Sequence, residues 1–307
     1  MNPKLSLSFT HLQHFLAVAD QGSVRAAAEA LGLSQPAVSK SLRSLETALG
    51  APLIQRTARG STLTPSGKLL YSRARLIENE IQRASEEIRD LTGASAGHIS
   101  IGASAIPSLL LLPQAVEQIR GRHRNITIDV MGGMPSVLLP RLIEGSLDFV
   151  VGPRPAARLP AQIQTTPLFE LCGSIVVRRG HPLEKANSIE QFKDAEWVLS
   201  SAAAHAESAL HAAFKDNDLA NAKVAVRVES LLAAYSIVAE TQYAGLLPNY
   251  TTAENTLFNK VSFPRVPQLS LIDHYDLFVR SDVRLSTAAT RAIAIVRSLA
   301  GKLKIRM

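Results

Sequence analysis

Apolar residues near the N-terminus recur at the spacing of a helix face. One helix is predicted from about Gln35 to Leu49, because four apolar residues follow there at i, i+4, i+7 and i+11. The residues of this stripe are Val38, Leu42, Leu45 and Leu49. We expect the stripe to pack against a preceding helix whose apolar residues are Leu12, Phe15 and Val18.

Capping residues place a second, alanine-rich helix just before this one. Ser23 can accept from the first N–H groups of that helix, and Gly32 can end it in a left-handed conformation. Ser34 can then cap the following helix. Two helices joined by so sharp a turn predict a helix-turn-helix.

The helix at 35–49 has polar and cationic residues opposite its apolar stripe. A major-groove reader needs such residues near its amino end, where they reach base edges while flanking cations neutralise phosphates. We predict that DNA is contacted by Arg25, Ser34, Gln35, Pro36, Ser39, Lys40 and Arg43. The alternative is a compact helical hairpin with a solvated face, because exposed Lys and Arg are common.

The next segment predicts a wing of two short strands, 51–56 and 57–64, with Gly60 in the turn region. Arg56 and Arg59 would lie near the sugar-phosphate backbone or in the minor groove. We therefore expect them to add affinity more than sequence discrimination.

Residues spread without gaps over this segment match one known family. They are Phe15, Gly22–Ser23, Ala26–Ala28, Leu31, Leu33–Ser39, Leu45–Glu46, Leu49–Gly50, Leu53, Arg56 and Leu63–Gly67. In these residues the segment resembles the winged helix-turn-helix of the LysR-type transcriptional regulators. Ile54 stands where these proteins usually have Phe, and Val24–Arg25 replace an aromatic–Thr pair.

A long helix is predicted from about Ser66 to Leu91, with apolar residues at heptad positions a and d and charges on the other faces. The seam consists of Leu70, Ala74, Ile77, Ile81, Ala84, Ile88 and Leu91. So narrow a seam needs a partner helix, so we predict a homodimer through this segment. The alternative, a helix packed on its own domain, normally shows a broader apolar face.

Small residues at 93–97 then break the helix and predict a hinge. Beyond it, strands and helices alternate in a β-α-β-α-β series over residues 99–152, which predicts a parallel, doubly wound sheet. A second series over residues 174–248 implies a second lobe. The fold class is thus α/β, with an N-terminal winged helix and a long linker helix.

The resemblance extends over nearly the whole chain through further landmarks. They are Leu111–Pro113, Glu144–Asp148, His181–Leu183 and Gly245–Pro248. The resemblance implies a two-lobed effector domain similar to periplasmic binding proteins, with a late strand and final helix returning to the first lobe. The implied domains are 1–65 for DNA binding, 66–92 as linker and 98–307 for the effector, with lobe I at 98–167 and 268–307 and lobe II at 168–267.

The cleft between the lobes is expected to bind a small molecule, because strand ends and helix N-termini converge there. The candidates are Ser104, Ala105, Ile106, Gly133, Met134, Pro135, Ser200, Ser201 and Ser230. Each serine has the alternative role of an ordinary helix cap. This hydroxyl-rich, apolar set suits a small carboxylate or sulfonate, and Tyr243 could narrow one side of the cleft.

The chain has 307 residues, a net charge of +7 and one cysteine, Cys172. Residues 1–70 hold seven cations and three anions, which indicates double-stranded DNA or, on charge alone, a membrane surface. The single cysteine excludes an internal disulfide and a Cys-based zinc site. No apolar stretch is long enough to span a bilayer and no signal pattern follows Met1, so we expect a cytoplasmic protein without membrane contact.

Enzyme motifs for nucleophilic, phosphate or zinc chemistry are missing from the sequence, so we expect no enzyme and no cofactor. His11 and His14 have metal-binding spacing but no third ligand in view. The expected function is a homo-oligomeric transcription factor, with tetramers and RNA polymerase contact implied by the resemblance. The alternative is an architectural DNA-binding protein with a solute-binding domain and no regulatory output.

Overall fold

The computed structural model describes residues 8–57, 60–91, 97–122, 124–200, 204–249, 259–269 and 271–303. The N-terminal part is the predicted winged helix followed by the long helix. Its elements are α1 (Phe9–Gln21), α2 (Val24–Leu31), α3 (Gln35–Leu49), β1 (Ile54–Thr57), β2 (Gly60–Leu63) and α4 (Pro65–Leu91).

The predicted caps and the apolar stripe of α3 are confirmed. Ser23 and Ser34 accept from the backbone N–H groups of Ala26 and Ala37, and Gly32 ends α2 with a φ of 67°. Two adjoining clusters form the N-terminal core. One joins Leu42 and Leu45 to Leu12 and Phe15 of α1, and the other joins Val38 to Val18 and Val24.

The wing is attached to the helices by hydrogen bonds that its backbone N–H groups donate. The Glu46 carboxylate at the end of α3 accepts from Leu53 N at 2.8 Å and from Ile54 N at 3.3 Å. Ser61 N donates to Gly22 O at 2.7 Å. A Cβ on Gly60 would lie 2.7 Å from the same Gly22 oxygen, so only glycine allows this approach. The wing therefore sits at a fixed place beside the helix-turn-helix.

Helix α4 departs in part from the predicted heptad seam. Ala74 is fully buried and Leu70 partly buried in the core of their own chain, beside α1, because the first turns of α4 cover the open side of that core. Leu70 and Ala74 are thus corrected from dimer contacts to core residues. The exposed part of the seam is Ile77, Ile81, Ala84 and Ile88, while the side chain of Leu91 lies outside the described residues.

The C-terminal part is a two-lobed α/β structure around a nine-stranded sheet. Lobe I contains β3 (His98–Ala103), α5 (Ala105–Leu110), α6 (Leu112–Arg122), β4 (Thr127–Gly132), α7 (Pro135–Ile143), β5 (Phe149–Pro153) and α10 (Thr287–Ala300). Lobe II contains β7 (Glu196–Ser200), α8 (Ala204–Asp216), β8 (Lys223–Val228), α9 (Leu231–Glu240), β9 (Ala244–Pro248) and β10 (Val261–Ser262), with a 3₁₀ turn at Ile189–Phe192. Two long strands, β6 (Ile163–Arg178) and β11 (Leu271–Arg280), pass through both lobes.

The sheet is mixed: the parallel pairing predicted for the series at 99–152 is confirmed among β4, β3 and β5, whereas the two long strands pair antiparallel. Its strand order is β4-β3-β5-β11-β6-β9-β7-β8, with β10 beside β6. Pairing is parallel only within a lobe, among β4, β3 and β5 and among β9, β7 and β8. The strands β6 and β11 run antiparallel to each other and to their neighbours β5 and β9, because a strand that crosses between lobes enters the second lobe from the opposite end.

One apolar core extends across both lobes. It joins Ile101 and Phe149 of lobe I to Val198 and Tyr235 of lobe II, and Val296 brings α10 back onto lobe I. The segment between β3 and β4, where the series at 99–152 predicts one helix, forms two helices that meet at Leu111. Pro113 explains the break, because proline has no N–H to donate and fits only the first turn of a helix.

Replacing Gly67 by alanine tests the junction of wing and α4. A Cβ at this position would lie 2.0 Å from Leu53 O, so Gly67→Ala has to displace backbone, and we expect a loss of about 1–3 kcal/mol in unfolding free energy. Gly121→Ala in α6 is the matched control. It meets nothing within 4 Å and is expected to be neutral or stabilising by about 0.5–1 kcal/mol. Denaturant unfolding followed by far-ultraviolet circular dichroism compares the two; equal stabilities would contradict the expectation.

Candidate nucleic-acid interface and ligand cavity

The outer face of α3 brings together most of the predicted DNA contacts. An open depression on this face is lined by Pro36, Ser39, Lys40, Arg43, Ser44, Thr47 and Ala48. Lys40 and Arg43 are exposed, whereas Val38 and Leu42 on the opposite side are buried. The helix therefore turns a polar, cationic surface outward, with exposed Gln35 in its first turn.

Two predicted contacts have other partners in the structure. Ser34 caps α3, with its side chain accepting from Ala37 N at 3.4 Å. Arg25 forms an exposed ion pair with Glu29, one turn away on α2. Ser34 begins α3, and Arg25 lies on α2, which packs against α3. An exposed ion pair such as Arg25–Glu29 contributes little to stability.

Of the two arginines predicted for the wing, one lies within the described residues. Arg56 lies in β1, where its backbone is paired with Ser61 of β2. Arg59 lies outside the described residues. The Ser61–Gly22 hydrogen bond holds this strand pair beside the turn that precedes α2, and hence close to the helix-turn-helix.

A narrow cavity lies between the two lobes, with a volume of about 40 Å³. Ser104 and Pro153 reach it from the carboxyl ends of β3 and β5, and Ser200 and Pro248 from the ends of β7 and β9. Its other lining residues are Ala105, Ile106, Met134, Leu231, Asp273 and Tyr275. Organic ligands need several hundred cubic ångströms, so a ligand enters only if the lobes or side chains move apart.

Five of the nine residues predicted to bind the effector line this cavity. Ser104, Ala105, Ile106, Met134 and Ser200 line it. Gly133 and Pro135 flank Met134 without lining the cavity, and Ser230 acts as the cap of α9, accepting from Ala233 N at 3.3 Å. Ser201 lies outside the described residues. Tyr243, expected to narrow the cleft, instead packs against the interlobe core.

Sequence reasoning missed five lining residues, namely Pro153, Leu231, Pro248, Asp273 and Tyr275. Pro153 and Pro248 end strands and Leu231 begins a helix. Because strand ends and helix N-termini are expected to converge at the cleft, applying this expectation to every such end would have found the three residues. Asp273 and Tyr275 lie inside β11, two residues apart and therefore on one face of the strand. No local pattern distinguishes them.

Polar groups in the cavity are few. Ser104 is only 4% exposed, and within the described part of the chain its hydroxyl has no hydrogen-bond partner. Burial, with a smaller contribution from the charge of Asp273, raises the pKa of Tyr275 well above its usual value, so the phenol stays protonated. The Tyr275 ring is stacked on Phe169 with centroids 4.8 Å apart. The ring is therefore held where Tyr275 of β11 is paired with Phe169 of β6.

The neighbouring residue on β11 points to the other side of the sheet. Asp276 is fully buried and accepts two hydrogen bonds from Arg154, at 2.7 and 2.9 Å. The pKa of Arg154 is raised, first by these hydrogen bonds and then by the charge of Asp276. The guanidinium nearest the cavity along β5 is thus engaged by a carboxylate.

Helix α4 is joined to lobe I by a polar junction. Arg83 donates to the carbonyls of Gly145 and Leu147 at 3.1 and 3.2 Å and pairs with Asp148 at 3.2 Å. Asn79 donates to Glu144 O at 2.7 Å. The second carboxylate oxygen of Asp148 accepts from Ser100 N at 2.8 Å, so one carboxylate links α4, β3 and the turn before β5.

The junction and the cavity lie at opposite ends of the same strands. Asp148 and Ser100 are at the amino ends of β5 and β3, while Pro153 and Ser104 are at or just beyond their carboxyl ends in the cavity. Strand β11 runs the other way, with Asp273 in the cavity and Arg280 beside Glu80 of α4 at 3.7 Å. Three strands, β3, β5 and β11, thus extend from the cavity to the junction with α4.

Among the described residues no group of three His, Cys, Asp or Glu side chains is arranged to hold a metal ion. In the same part of the chain no helix is both long and apolar enough to cross a membrane.

Two family models match this chain and together span most of it. Residues 9–68 match the model of the bacterial regulatory helix-turn-helix protein, lysR family. Residues 92–301 match the LysR substrate binding domain.

Similar proteins are transcriptional regulators. The HTH-type transcriptional regulator GbpR of Azospirillum brasilense is 28% identical over 305 residues, which are 96% of this chain and 87% of GbpR. The SDS degradation transcriptional activation protein of a Pseudomonas species is 28% identical over 282 residues, covering 91% and 92% of the two chains. The crystal structure of CbnR, a LysR family regulator, superimposes with a TM-score of 0.67 at 19% identity, over 96% of this chain and 99% of CbnR. That last similarity establishes the fold.

A double-mutant cycle tests the junction between α4 and lobe I. Both partners are largely buried, so Arg83→Ala and Asp148→Asn are expected to be coupled by about 1–3 kcal/mol in unfolding free energy. The exposed pair Lys260–Glu240 is the matched control, with an expected coupling of about 0.5 kcal/mol or less. Thermal unfolding of the single and double variants gives both values. Equal coupling in the two cycles would show that the junction is only a surface contact.

Proposed function

The chain belongs to the LysR family of transcriptional regulators, and we propose that α3 and the wing read DNA while the interlobe cavity binds the controlling molecule. The observation that carries the proposal is the division of α3 into a buried apolar side and an outward cationic side. A helix-turn-helix protein needs this division to insert its second helix into the major groove.

Within this function the residues have separate roles. Gln35 and Ser39 lie on the amino half of α3 and suit contacts with base edges. Lys40 and Arg43, one to two turns further, suit phosphates, as do Arg56 and Arg59 of the wing. The proposal includes a division of the chain into four parts: a DNA-binding unit at 1–65, a linker at 66–92, a hinge at 93–97 and an effector domain at 98–307. The chain passes from one lobe to the other within β6 and again within β11.

Dimerisation through α4 is the second part of the proposal. Ile77, Ile81 and Ile88 have exposed fractions of 44%, 44% and 61%, and with Ala84 they form one stripe at heptad spacing. The opposite face of the helix, with Asn79 and Arg83, is occupied by lobe I. The stripe is thus free to pair with the same stripe of a second chain, which would present two copies of α3 to an inverted repeat.

Regulation follows from the junction on α4. We propose that a small organic molecule changes how far the two lobes close on each other. The strands β3, β5 and β11 transmit this change to α4. The angle between dimers in a tetramer then changes, which alters DNA bending and the contact with RNA polymerase. The opposite placement of cavity and junction on the same three strands supports this route.

Substitutions in α3 and the wing test DNA reading. Gln35→Ala and Ser39→Ala are expected to relax base preference in duplexes selected from a random pool, because these residues face base edges. Arg56→Ala with Arg59→Ala is expected to weaken binding to all sequences and to reduce the salt slope by up to about two for each DNA-bound protomer, since each phosphate contact contributes about 0.9. Lys223→Ala in β8 is the control for loss of a surface cation. Unchanged preference in the α3 variants would refute the recognition-helix assignment.

A charge in the α4 stripe tests the dimer. Ile81→Glu would bury a carboxylate in the proposed seam, so we expect monomers in sedimentation equilibrium at micromolar concentration. Ile272→Glu is the control, because Ile272 is also exposed, at 56%, but lies on β11. If Ile81→Glu left the molecular mass unchanged, the dimer would have to form through another surface.

A further inference from the structure

Helix α4 is attached to both parts of its own chain along one side. Tyr71, Arg75, Asn79 and Arg83 follow one another at intervals of four residues, which places successive members of the series next to each other on the helix. Tyr71 and Arg75 contact α1, whereas Asn79 and Arg83 contact lobe I. The DNA-reading unit and lobe I are therefore bound to adjoining turns of one helix.

The contact between α1 and α4 uses every nitrogen of the Arg75 guanidinium. Its Nη2 donates to the carboxylate of Asp20 on α1, its Nε donates to the Tyr71 hydroxyl at 3.3 Å, and its Nη1 donates to Glu78 at 2.7 Å. The Tyr71 hydroxyl itself donates to the other oxygen of Asp20 at 2.8 Å. Asp20 thus accepts from two residues of α4 at once, which restricts how α1 can turn against that helix.

Protonation states and charge suit this contact. Burial lowers the pKa of Arg75, but hydrogen bonds with Asp20 and Tyr71 raise it by more, so the guanidinium stays cationic. Burial raises the pKa of Tyr71 above its usual value, so the phenol keeps the proton that it donates. Asp20 lies in the last turn of α1, where the helix dipole disfavours an anion. The stability of α1 itself thus does not call for an acid here, whereas the contact with α4 does.

The polar contact adds direction to the apolar packing beside it. Leu70 and Ala74 attach the first turns of α4 to the N-terminal core, and the hydrophobic effect behind that contact is non-directional. The hydrogen bonds of Asp20 depend on the angle at the donor and weaken steeply below about 120°. Asp20 is also at the end of α1 that leads into α2, so it holds the unit on the side from which α2 and α3 follow.

We propose that Asp20, Tyr71 and Arg75 form a positioning site that sets the angle between the DNA-reading unit and α4, and that this angle selects the spacing of two DNA half-sites. In a dimer paired through α4, the distance and rotation between the two copies of α3 follow from the two contacts of α1 with α4. Without these contacts each reading unit swings on α4 and accepts other spacings. The inference rests on the proposed function in two respects, namely the α4 dimer and DNA reading by α3.

Duplexes with variable spacing test the proposal on the full-length protein. A sequence selected from a random pool supplies the half-site, which is placed once in a duplex, or twice as an inverted repeat whose spacer changes by one base pair at a time. Fluorescence anisotropy gives the Kd of each duplex. For the wild-type protein we expect one preferred spacing, at which the paired half-sites bind about 100-fold or more tightly than the single one.

Asp20→Ala, Arg75→Ala and the double variant are expected to flatten this profile. The ratio of paired to single half-site affinity at the preferred spacing should fall about tenfold and at other spacings by less, because avidity depends on geometry. The ratio also cancels the change in net charge. Since both residues act through one contact, the double variant should be no flatter than either single variant. Tyr71→Phe keeps the ring and removes one of the two bonds to Asp20, so it should have a smaller effect in the same direction.

Glu240→Ala is the control, because it removes an exposed acid from an ion pair in lobe II. It should leave the profile unchanged, and circular dichroism checks that all variants are folded. Folded variants with the wild-type profile would overturn the proposal and leave DNA reading by the dimer intact. An equal loss of affinity for single and paired half-sites would also overturn it, since the contact would then only support the fold of the reading unit. A wild-type protein with no preferred spacing would refute the α4 dimer, and this proposal with it.

Discussion

The Asp148 carboxylate is the constraint on which the arrangement of the whole chain depends. One of its oxygens binds Arg83 of α4 and the other accepts from the backbone of β3, so it joins the helix that carries the DNA-reading unit to the sheet of the effector domain. Asp148 is 9% exposed, and Arg83 also donates to the carbonyls of Gly145 and Leu147. These three acceptors fix the orientation of the Arg83 side chain against lobe I. Together with the Asn79–Glu144 and Arg280–Glu80 contacts, this contact attaches lobe I to α4.

The mixed sheet gives the second constraint. Because β6 and β11 pass through both lobes side by side, the lobes can move relative to each other mainly by bending or twisting this strand pair. The register of the pair shifts between Tyr275 and Asp276, next to the stacked Phe169–Tyr275 rings. A bulge of this kind locally increases twist and re-aims side chains. The extra residue is Leu168 of β6. Tyr275, which lines the cavity, and Asp276, which binds Arg154, point to opposite sides because they are consecutive residues of β11.

Local signals made the N-terminal part predictable, whereas the cavity depends on pairings that no local signal contains. Ser23, Gly32 and Ser34 act within one turn of the chain, so their types alone indicate where α2 and α3 begin and end. Ser104 and Ser200 follow strands, and strand ends converge in α/β folds. Asp273 faces the cavity only because β11 crosses between lobes. The heptad of α4 likewise predicted an apolar face, but not that Leu70 and Ala74 belong to the core of their own chain, since periodicity does not distinguish α1 of the same chain from α4 of another.

The burial of Ala74 and Leu70 in the N-terminal core shows that the boundary of the winged helix in sequence is not a boundary of folding. Cutting the chain where the wing ends would open that core to water, so the smallest autonomous DNA-reading fragment has to retain the first three turns of α4. A chimaera that exchanges the effector domain keeps this core intact only if its junction lies downstream of that point, where α4 has left the core and meets lobe I.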